Sequence, residues 1–243
     1  MRDDFIRPDW PAPRNVHALS TTRQGGVSVG PYASLNLGEH VGDDLKAVAA
    51  NRARLQPALG RAMPRWLRQV HGVRVAQDGD VSHAPADAAV TGRRDVACTI
   101  MTADCLPIIF CDKAGTRVAA AHAGWRGLAA GVLEATLDSM GVASDDVLAW
   151  IGPAIGPKVY EVGDEVREAF VAHTAAAAKA FMPGRATGKW WCDLYMLARQ
   201  RLEAAGVESI HGGGLCTFTD RERFFSFRRD GECGRMATLI WLE

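Results

Sequence analysis

The feature that most constrains the fold is a series of short apolar runs, some separated by turns and others by helical patterns. Runs of this length, rich in β-branched residues and bounded by turn formers, predict strands. They lie at residues 16–22, 96–101, 108–111, 117–122, 147–151 and 237–241. Because the strands come both in consecutive groups and separated by helices, we predict a layered α/β fold with mixed β-sheets flanked by helices.

Two apolar stripes at helical spacing predict helices between these strands. The first stripe consists of Leu128, Val132, Leu133, Leu137 and Met140 and stops at Gly141. The second spans residues 194–205, with Asp193 as a cap and Gly206 as a stop. The alanine-rich residues 175–178 predict an exposed helical insertion. No repeat or linker divides the chain, so residues 1–243 are expected to form one domain.

Composition argues against several functional classes. The 28 basic and 28 acidic residues balance without a run of like charge, so a nucleic-acid-binding face is not expected. No apolar stretch has the length of a membrane helix. The six cysteines lack disulfide-like spacing and the N-terminus opens no apolar signal segment, which predicts a reduced, cytoplasmic protein. The sequence leaves the oligomeric state open.

Three residues with soft donor atoms, His71, Cys105 and His122, lie at the edges of strand-like runs beside small or turn-forming residues. Two imidazoles and one thiolate make a zinc site with a free fourth position, the ligand count of a catalytic rather than a structural zinc. The ligands are separated by 34 and then 17 positions (71 to 105 to 122), unlike the compact pairs of a zinc finger. On spacing alone, a buried apolar cysteine and two core histidines are the alternative.

The segment Gly124-Trp125-Arg126-Gly127 follows His122 and is predicted to be a turn that leads into the first helix. The N–H groups at such a helix start attract anions, and Arg126 adds a fixed cation suited to phosphate or carboxylate. An ordinary strand-to-helix turn with a solvated arginine is an equal alternative.

Asp104 adjoins Cys105 and is the nearest carboxylate for general acid or base chemistry. Neighbouring side chains on a strand face opposite ways, so a structural role is the alternative unless the segment is a turn. Pro107 favours a turn.

Two further segments have the composition of ligand-contacting loops. Residues 20–28 and 32–38, which include Asn36, are dense in turn formers and short polar side chains, although most such stretches are plain surface loops. Residues 224–230 place three phenylalanines beside two arginines. Aromatic faces can stack a base while arginine holds an anion, but core packing explains most such phenylalanines.

Taken together, these segments resemble the YfiH-type family, whose older name is multicopper polyphenol oxidoreductase or laccase-domain protein. The resemblance covers nearly the whole chain. Its motifs are residues 20–28, 34–38, 69–72, 102–107, 122–127, 151–156 and 225–230.

The resemblance implies a zinc ion held by His71, Cys105 and His122 in a cytoplasmic enzyme that acts on purine nucleosides. The implied reactions are phosphorolysis of adenosine, inosine, guanosine and methylthioadenosine, together with deamination of adenosine. The implied fold is a layered α/β arrangement, distantly similar to the catalytic domain of cytotoxic necrotizing factor. Family members have also been linked to the editing of peptidoglycan precursors.

Within these motifs we assign Asp104 and Arg126 to catalysis, and Asn36, Gln69 and Arg228 to substrate binding. For deamination, the metal would assist hydrolytic attack on C6 of adenine, with Asp104 or a nearby group moving protons. For phosphorolysis, phosphate would sit near Arg126 and attack the sugar C1′. The acid that protonates the leaving base is not identified by the sequence.

Functions of other classes stay open. Cys105 could instead be a thiolate nucleophile activated by His122 that cleaves an amide, such as a peptide bond of a cell-wall precursor. A non-catalytic module, in which the metal only ties loops together, is the second alternative. Laccase chemistry is not expected, because the seven histidines include no His-x-His pair. Copper is expected to bind in vitro, since such a site usually binds copper more tightly than zinc.

Overall fold

The structure, a computed structural model, describes residues 5–243. The strands are β1 (Val16–Ser20), β2 (Met63–Arg65), β3 (Val75–Ala76), β4 (Ala88–Thr91), β5 (Val96–Thr102), β6 (Leu106–Asp112), β7 (Val118–Ala123), β8 (Val147–Ile151), β9 (Glu161–Gly163), β10 (Phe181–Pro183), β11 (Lys189–Cys192), β12 (Ser209–Gly212) and β13 (Met236–Leu242). The helices are α1 (Leu45–Leu59), α2 (Trp125–Ala130), α3 (Val132–Met140), α4 (Asp164–Val171), α5 (Leu194–Ala204) and α6 (Phe227–Asp230).

The largest sheet has six strands in the order β12-β8-β6-β7-β4-β3. Its central strand β6 pairs antiparallel with β7 and β8, whereas the outer pairs β12–β8 and β3–β4 are parallel. The sheet is therefore mixed, as predicted. The register of β6 on β7 sets Pro107 opposite His122, which brings the start of β6 to the end of β7.

A second sheet, ordered β1-β13-β5-β2, packs against the first. Ile100, Ile109 and Ile240 lie in the core between the two sheets. Leu239, one position before Ile240, faces the other way into a core with α1, and Phe110, one position after Ile109, lies in the core with α3 and α5. Because successive residues of the central strands enter different cores, these strands are apolar at nearly every position, which is why the sequence shows them clearly.

A small antiparallel sheet, ordered β10-β11-β9, lies beside these layers. Its strand β9 begins directly after Tyr160, whose ring packs into the core of the large sheet. The small sheet therefore brings the segment around Tyr160 next to the layer that carries the candidate site.

The helix predicted after His122 is two helices, so the prediction of a single one was wrong. Gly131 ends α2 and begins α3 with a φ of 100°, a left-handed conformation that glycine adopts without steric cost. The predicted apolar stripe is nevertheless buried against the large sheet on both sides of the break. The prediction of α5 is confirmed, because the Asp193 side chain accepts a hydrogen bond from the Met196 N–H and Gly206 follows with a φ of 90°.

The alanine-rich segment forms a 3-10 helix over Ala175–Ala180. Ala175 and Ala176 are exposed, as predicted, but Ala177 and Ala180 are buried in the core with α5, so the segment is only partly exposed. Alanine lacks a bulky side chain, which lets this segment approach its neighbours closely.

All six cysteines are free thiols, as their scattered spacing predicts. Among residues 5–243, the structure contains no helix that is both long and apolar enough to cross a bilayer.

Candidate metal centre

His71, Cys105 and His122 come together at one end of the large sheet. His71 lies in the bend before β3, Cys105 lies in the bend between β5 and β6, and His122 is the next-to-last residue of β7. Their donor atoms all lie within 4.8 Å of one another, and Cys105 Sγ is 3.9 Å from His71 Nε2. The two imidazole rings meet edge-on with their centroids 4.7 Å apart. Residues that are remote in the sequence thus form a single cluster.

The cluster has a buried side and an accessible side. His122 is buried, Cys105 is half-buried and His71 is exposed. A small molecule can therefore approach the donor atoms from the side of His71.

Asp87 is fully buried behind both histidines. Its Oδ1 lies 2.8 Å from His122 Nδ1 and accepts the His71 N–H at 2.9 Å. Its Oδ2 accepts the N–H of Val70 at 3.1 Å and of Gly72 at 2.8 Å. Because the carboxylate engages Nδ1, the other nitrogen of His122, Nε2, is the one left to face the cluster.

Gly124 provides the space beside the donor atoms. A Cβ at this position would lie 2.8 Å from His71 Cδ2 and 3.1 Å from Cys105 Sγ. The backbone φ of −63° suits any residue, so the close approach of the ligands is what requires glycine here. One turn later, a Cβ on Gly127 would lie 3.0 Å from the carbonyl oxygen of Gly72, so glycine lets α2 approach the backbone of the bend that contains His71.

Cys105 and His122 influence each other electrostatically. Burial raises the pKa of the Cys105 thiol, but His122 and His71 outweigh this effect and lower the pKa to about 6. Burial lowers the pKa of His122, but the Cys105 thiolate and Asp87 raise it above its ordinary value. Both shifts favour a thiolate beside an imidazolium in the metal-free protein, and a metal ion that binds His122 would displace the imidazolium proton.

The donor set fits a zinc ion. Bonds of about 2.0–2.1 Å to nitrogen and about 2.3 Å to sulfur at tetrahedral angles place the two donors about 3.6 Å apart. The separation of Cys105 Sγ from His71 Nε2, 3.9 Å, is close to this value. A carboxylate behind a metal-binding imidazole, as Asp87 stands behind His122, is the usual arrangement. Within the described part of the chain the group contains no fourth His, Cys, Asp or Glu, so tetrahedral coordination leaves one position for water or substrate. Copper accepts the same donors.

Asp104 is buried in the bend directly before Cys105, where its φ is 99°. Its Oδ1 accepts the Thr217 hydroxyl at 2.6 Å and its Oδ2 accepts the Arg228 N–H at 2.7 Å. Its carbonyl oxygen accepts the Ile155 N–H at 2.9 Å. Asp104 therefore joins three distant segments beside the cluster, and it lies in a bend rather than a strand.

Asn36 and Gln69 use their amide groups within the protein. Asn36 is fully buried, and its Oδ1 accepts the N–H groups of Gly38 and Arg235, both at 2.9 Å. Gln69 donates to the Met101 carbonyl and accepts the Met101 N–H, both at 2.8 Å. Asn36 thus fixes its own turn, and Gln69 ties the bend that contains His71 to β5.

Arg126 and Arg228 are both exposed, and each packs over an aromatic ring. The guanidinium carbon of Arg126 lies 4.4 Å from the ring centroid of Trp125. Trp125 and Arg126 belong to the first turn of α2, so the segment predicted as a turn before the helix is the start of the helix itself. The guanidinium of Arg228 lies 4.9 Å from the centroid of Tyr160 and donates to the Glu161 carbonyl at 2.8 Å.

The sequence did not predict a role at the site for Asp87, Thr217 or Tyr160. Asp87 immediately precedes the apolar strand β4, and a lone acidic residue at a strand start is too common to indicate a metal site. Thr217 meets Asp104 across 113 positions of sequence, and no pattern in the sequence indicates this contact or the stacking of Arg228 on Tyr160.

The fold and the site together define a layered α/β protein with a candidate three-ligand metal centre. The family model described as multi-copper polyphenol oxidoreductase laccase matches residues 17–243. The chain is 58% identical over 239 residues to purine nucleoside phosphorylase PA4543 of Pseudomonas aeruginosa, with 98% of each chain covered. It is 53% identical over 241 residues to purine nucleoside phosphorylase YfiH of Escherichia coli strain K12, again with 98% of each covered. The chain therefore belongs to the YfiH-type, laccase-domain family.

Solved structures agree with this conclusion. The crystal structure of Neisseria meningitidis protein NMB0706 matches with a TM-score of 0.95 at 50% identity and covers 99% of both chains. That of YlmD from Geobacillus stearothermophilus matches with a TM-score of 0.90 at 34% identity, covering 100% of this chain and 97% of YlmD. The predicted fold class and the resemblance to the family are thereby confirmed.

Proposed function

We propose that the protein is a zinc-dependent purine nucleoside phosphorylase that also deaminates adenosine. The proposed nucleosides are adenosine, inosine, guanosine and methylthioadenosine. The proposal is carried by the cluster of His71, Cys105 and His122, with a buried carboxylate on one side and solvent access on the other. It is supported by two relatives, 58% and 53% identical, that are named purine nucleoside phosphorylases.

Each ligand has a distinct task in holding the metal. Cys105 would bind as a thiolate, for which its lowered pKa prepares it. His122 would bind through Nε2 while Asp87 engages Nδ1, and the exposed His71 would complete the set from the solvent side. When bound, the zinc supplies a Lewis acid that polarises an oxygen atom of water or substrate.

The two exposed arginines are proposed to bind charged and polar parts of the reactants. A guanidinium packed over an aromatic ring loses rotational freedom but keeps N–H groups that can hold two phosphate oxygens at once. We assign phosphate to Arg126 and the nucleoside to Arg228. In phosphorolysis a phosphate oxygen bonds to the ribose C1′, the bond from C1′ to the base breaks, and the base leaves with a proton.

Asp104 is proposed for proton transfer. Each of its carboxylate oxygens accepts one hydrogen bond, from Thr217 or from the Arg228 N–H, and retains a second lone pair. Asn36 and Gln69 are proposed to support substrate binding by holding their turns in place, because their amide groups are engaged within the protein.

Alanine replacement of Cys105 or His122 tests the metal role. We expect bound zinc to fall well below one ion per chain, because only two of the three ligands remain. Phosphate-dependent release of hypoxanthine from inosine should be lost as well. Cys216→Ala and His173→Ala are matched controls, since these residues lie outside the cluster, and both should retain zinc and activity. Full activity in a zinc-free variant would refute the proposal.

Replacement of Arg126 tests the phosphate site. Arg126→Ala should raise the KM for phosphate about tenfold or more, on the order of the 1.5–3 kcal/mol of a hydrogen bond to a charged group, while changing the KM for inosine less. Arg61→Ala, which removes an exposed arginine after α1, is the control. An unchanged phosphate KM would contradict the assignment.

A cysteine hydrolase acting on a peptidoglycan precursor is the second candidate. It is favoured by the spatial arrangement of three residues, in which His122 contacts both Cys105 and Asp87. This arrangement matches a nucleophile, a base and a carboxylate that orients the base. Zinc-free protein should be assayed on inosine and on a UDP-muramyl peptide. Hydrolysis of the peptide without zinc would establish this candidate in place of the phosphorylase, provided that iodoacetamide inactivates the enzyme and that substrate protects the enzyme from this inactivation.

The two proposed nucleoside reactions have different products. Adenosine with phosphate yields adenine and ribose 1-phosphate by phosphorolysis, whereas deamination yields inosine and ammonia without phosphate. Product analysis with and without phosphate therefore separates them. We propose a cytoplasmic location, where free thiols such as the six found here persist.

A further inference from the structure

The buried carboxylate of Asp87 contacts the ring of His122 and the backbone around His71. Its two oxygens bind the His122 imidazole and three consecutive N–H groups, those of residues 70–72. We propose that Asp87 is the positioning residue that assembles the metal site, and that Gln69 is its second support. This inference rests on the proposed zinc site and assigns a role to residues outside the ligand set.

For His122, Asp87 fixes the ring and its tautomer. The contact of 2.8 Å from Oδ1 to Nδ1 keeps a proton on Nδ1, so Nε2 is the atom that loses its proton and binds the metal. The Asp87 carbonyl also accepts the His122 N–H at 2.6 Å, so backbone and side chain are held by the same residue. Without the carboxylate, this buried ring would lose its preference for the correct tautomer.

For His71, Asp87 acts through the backbone. The ring of His71 is exposed, and its φ of 60° is a conformation that residues other than glycine seldom adopt. The three N–H groups of residues 70–72 converge on one carboxylate, which compensates for this unfavourable conformation. Removing the carboxylate would leave these donors without their partner and release the bend.

Gln69 connects the same bend to the strand that leads to Cys105. Its amide forms two hydrogen bonds of 2.8 Å with the backbone of Met101 in β5, and β5 ends three positions before Cys105. Gln69 therefore limits the distance between the exposed histidine and the cysteine. Asp87 and Gln69 together place His71 relative to the other two ligands.

The test measures zinc affinity directly, by competition with a chelator, in Asp87→Asn. Asparagine keeps the size of the side chain but loses the charge and one acceptor. We expect the affinity for zinc to fall about 10–100-fold, the usual effect of changing a residue that supports a metal ligand. In the cobalt-loaded variant, the sulfur-to-cobalt charge-transfer absorption should persist while the ligand-field bands shift, because Cys105 still binds and the histidines are displaced.

Asp112→Asn is the matched control. Asp112 is also a buried carboxylate that accepts several hydrogen bonds, from the N–H groups of Thr116 and Arg117 at 2.7 and 2.8 Å and from the Thr116 hydroxyl at 2.6 Å. It lies at the opposite end of β6 from the metal site, about 20 Å away at the usual rise of a strand. Asp112→Asn should therefore lower stability without changing zinc affinity.

The outcomes separate this inference from the proposed function. If the wild type binds zinc and Asp87→Asn binds it equally well, or if both Asn variants lose affinity alike, the role of Asp87 is overturned while the zinc site stands. If the wild type has no affinity for zinc, both proposals fall.

Two measurements do not depend on the folding of Asp87→Asn. Gln69→Ala should weaken zinc binding several-fold, and an unchanged affinity would overturn the role of Gln69. In ¹⁵N-histidine NMR of the wild type, zinc should change the signal of His122 Nε2 and leave the proton on Nδ1. Loss of the Nδ1 proton on zinc binding would overturn the role of Asp87.

Discussion

Replacing Gly124 by alanine should weaken zinc binding while leaving the protein folded. Gly124 precedes α2 with φ −63° and ψ 157°, a conformation that alanine adopts without strain. In the metal-free protein the exposed His71 ring can rotate away from the new methyl group. The cost therefore arises when the metal draws the ligands together.

The size of the effect follows from two distances. The new Cβ would lie 2.8 Å from His71 Cδ2 and 3.1 Å from Cys105 Sγ. Since carbon atoms pack at about 3.5–4.0 Å, the imidazole must retreat by about 0.7 Å. Metal sites tolerate departures of only about 0.2 Å from ideal bond lengths. We therefore expect the zinc Kd to rise at least about tenfold, which corresponds to about 1.4 kcal/mol.

The assay is chelator competition for zinc, combined with urea unfolding of the metal-free protein. Gly92→Ala is the control, because its Cβ would lie 3.3 Å from the Thr116 carbonyl oxygen and in ordinary contact with the Arg117 side chain, far from the ligands. Both variants should unfold within about 1 kcal/mol of the wild type. A Gly124→Ala protein that binds zinc as tightly as the wild type would show that the three donors do not share one ion.

Three further predictions concern acidity and packing. Iodoacetamide should alkylate Cys105 of zinc-free protein at a rate that rises through pH 6 and is level above pH 7, because the pKa of the thiol is lowered to about 6; a rate still rising at pH 8 would contradict this. Despite burial, which raises it, the pKa of Asp87 is lowered by His122 and backbone N–H groups, so its contribution to stability is present above about pH 4 and lost below it. Urea unfolding of metal-free protein should therefore weaken more steeply below pH 4 in the wild type than in Asp87→Asn, and parallel curves would refute the assignment. Phe110→Ala, at a fully buried position, should lower the free energy of unfolding by about 3–5 kcal/mol, and a loss under about 1 kcal/mol would contradict the packing described.

The central strands could be predicted from the sequence because both of their faces are buried. In β6 and β13 every residue is buried, and such continuous apolar runs stand out. Helix α1 was missed because only Val48, Asn51, Leu55 and Leu59 are buried, among alanines, arginines and an internal Pro57. The short strands β2, β3 and β9 were also missed, since segments of two or three residues are ordered by their partners rather than by their own pattern.

The ligands of the candidate site could be predicted from their chemistry, but their supports could not. His71, Cys105 and His122 offer donor atoms that few other residue types provide. Asp87 is one of many acidic residues, and only the fold, which places its carboxylate against His122, distinguishes it from the others. Membership in a motif also does not reveal the task of a residue. Gln69 belongs to the same motif as His71, and its amide contacts the backbone of β5.

The division of the cluster into a buried and an exposed half explains how one site can be both rigid and accessible. His122 and Asp87 are enclosed, so their hydrogen bond is protected from competing water and fixes one ligand before metal arrives. In the proposed enzyme the exposure of His71 gives a substrate its way in, and an exposed ring cannot be fixed by packing. Its backbone is fixed instead, through the carboxylate that also holds His122. A single buried negative charge thereby orders the exposed histidine without closing the solvent path to the proposed metal site.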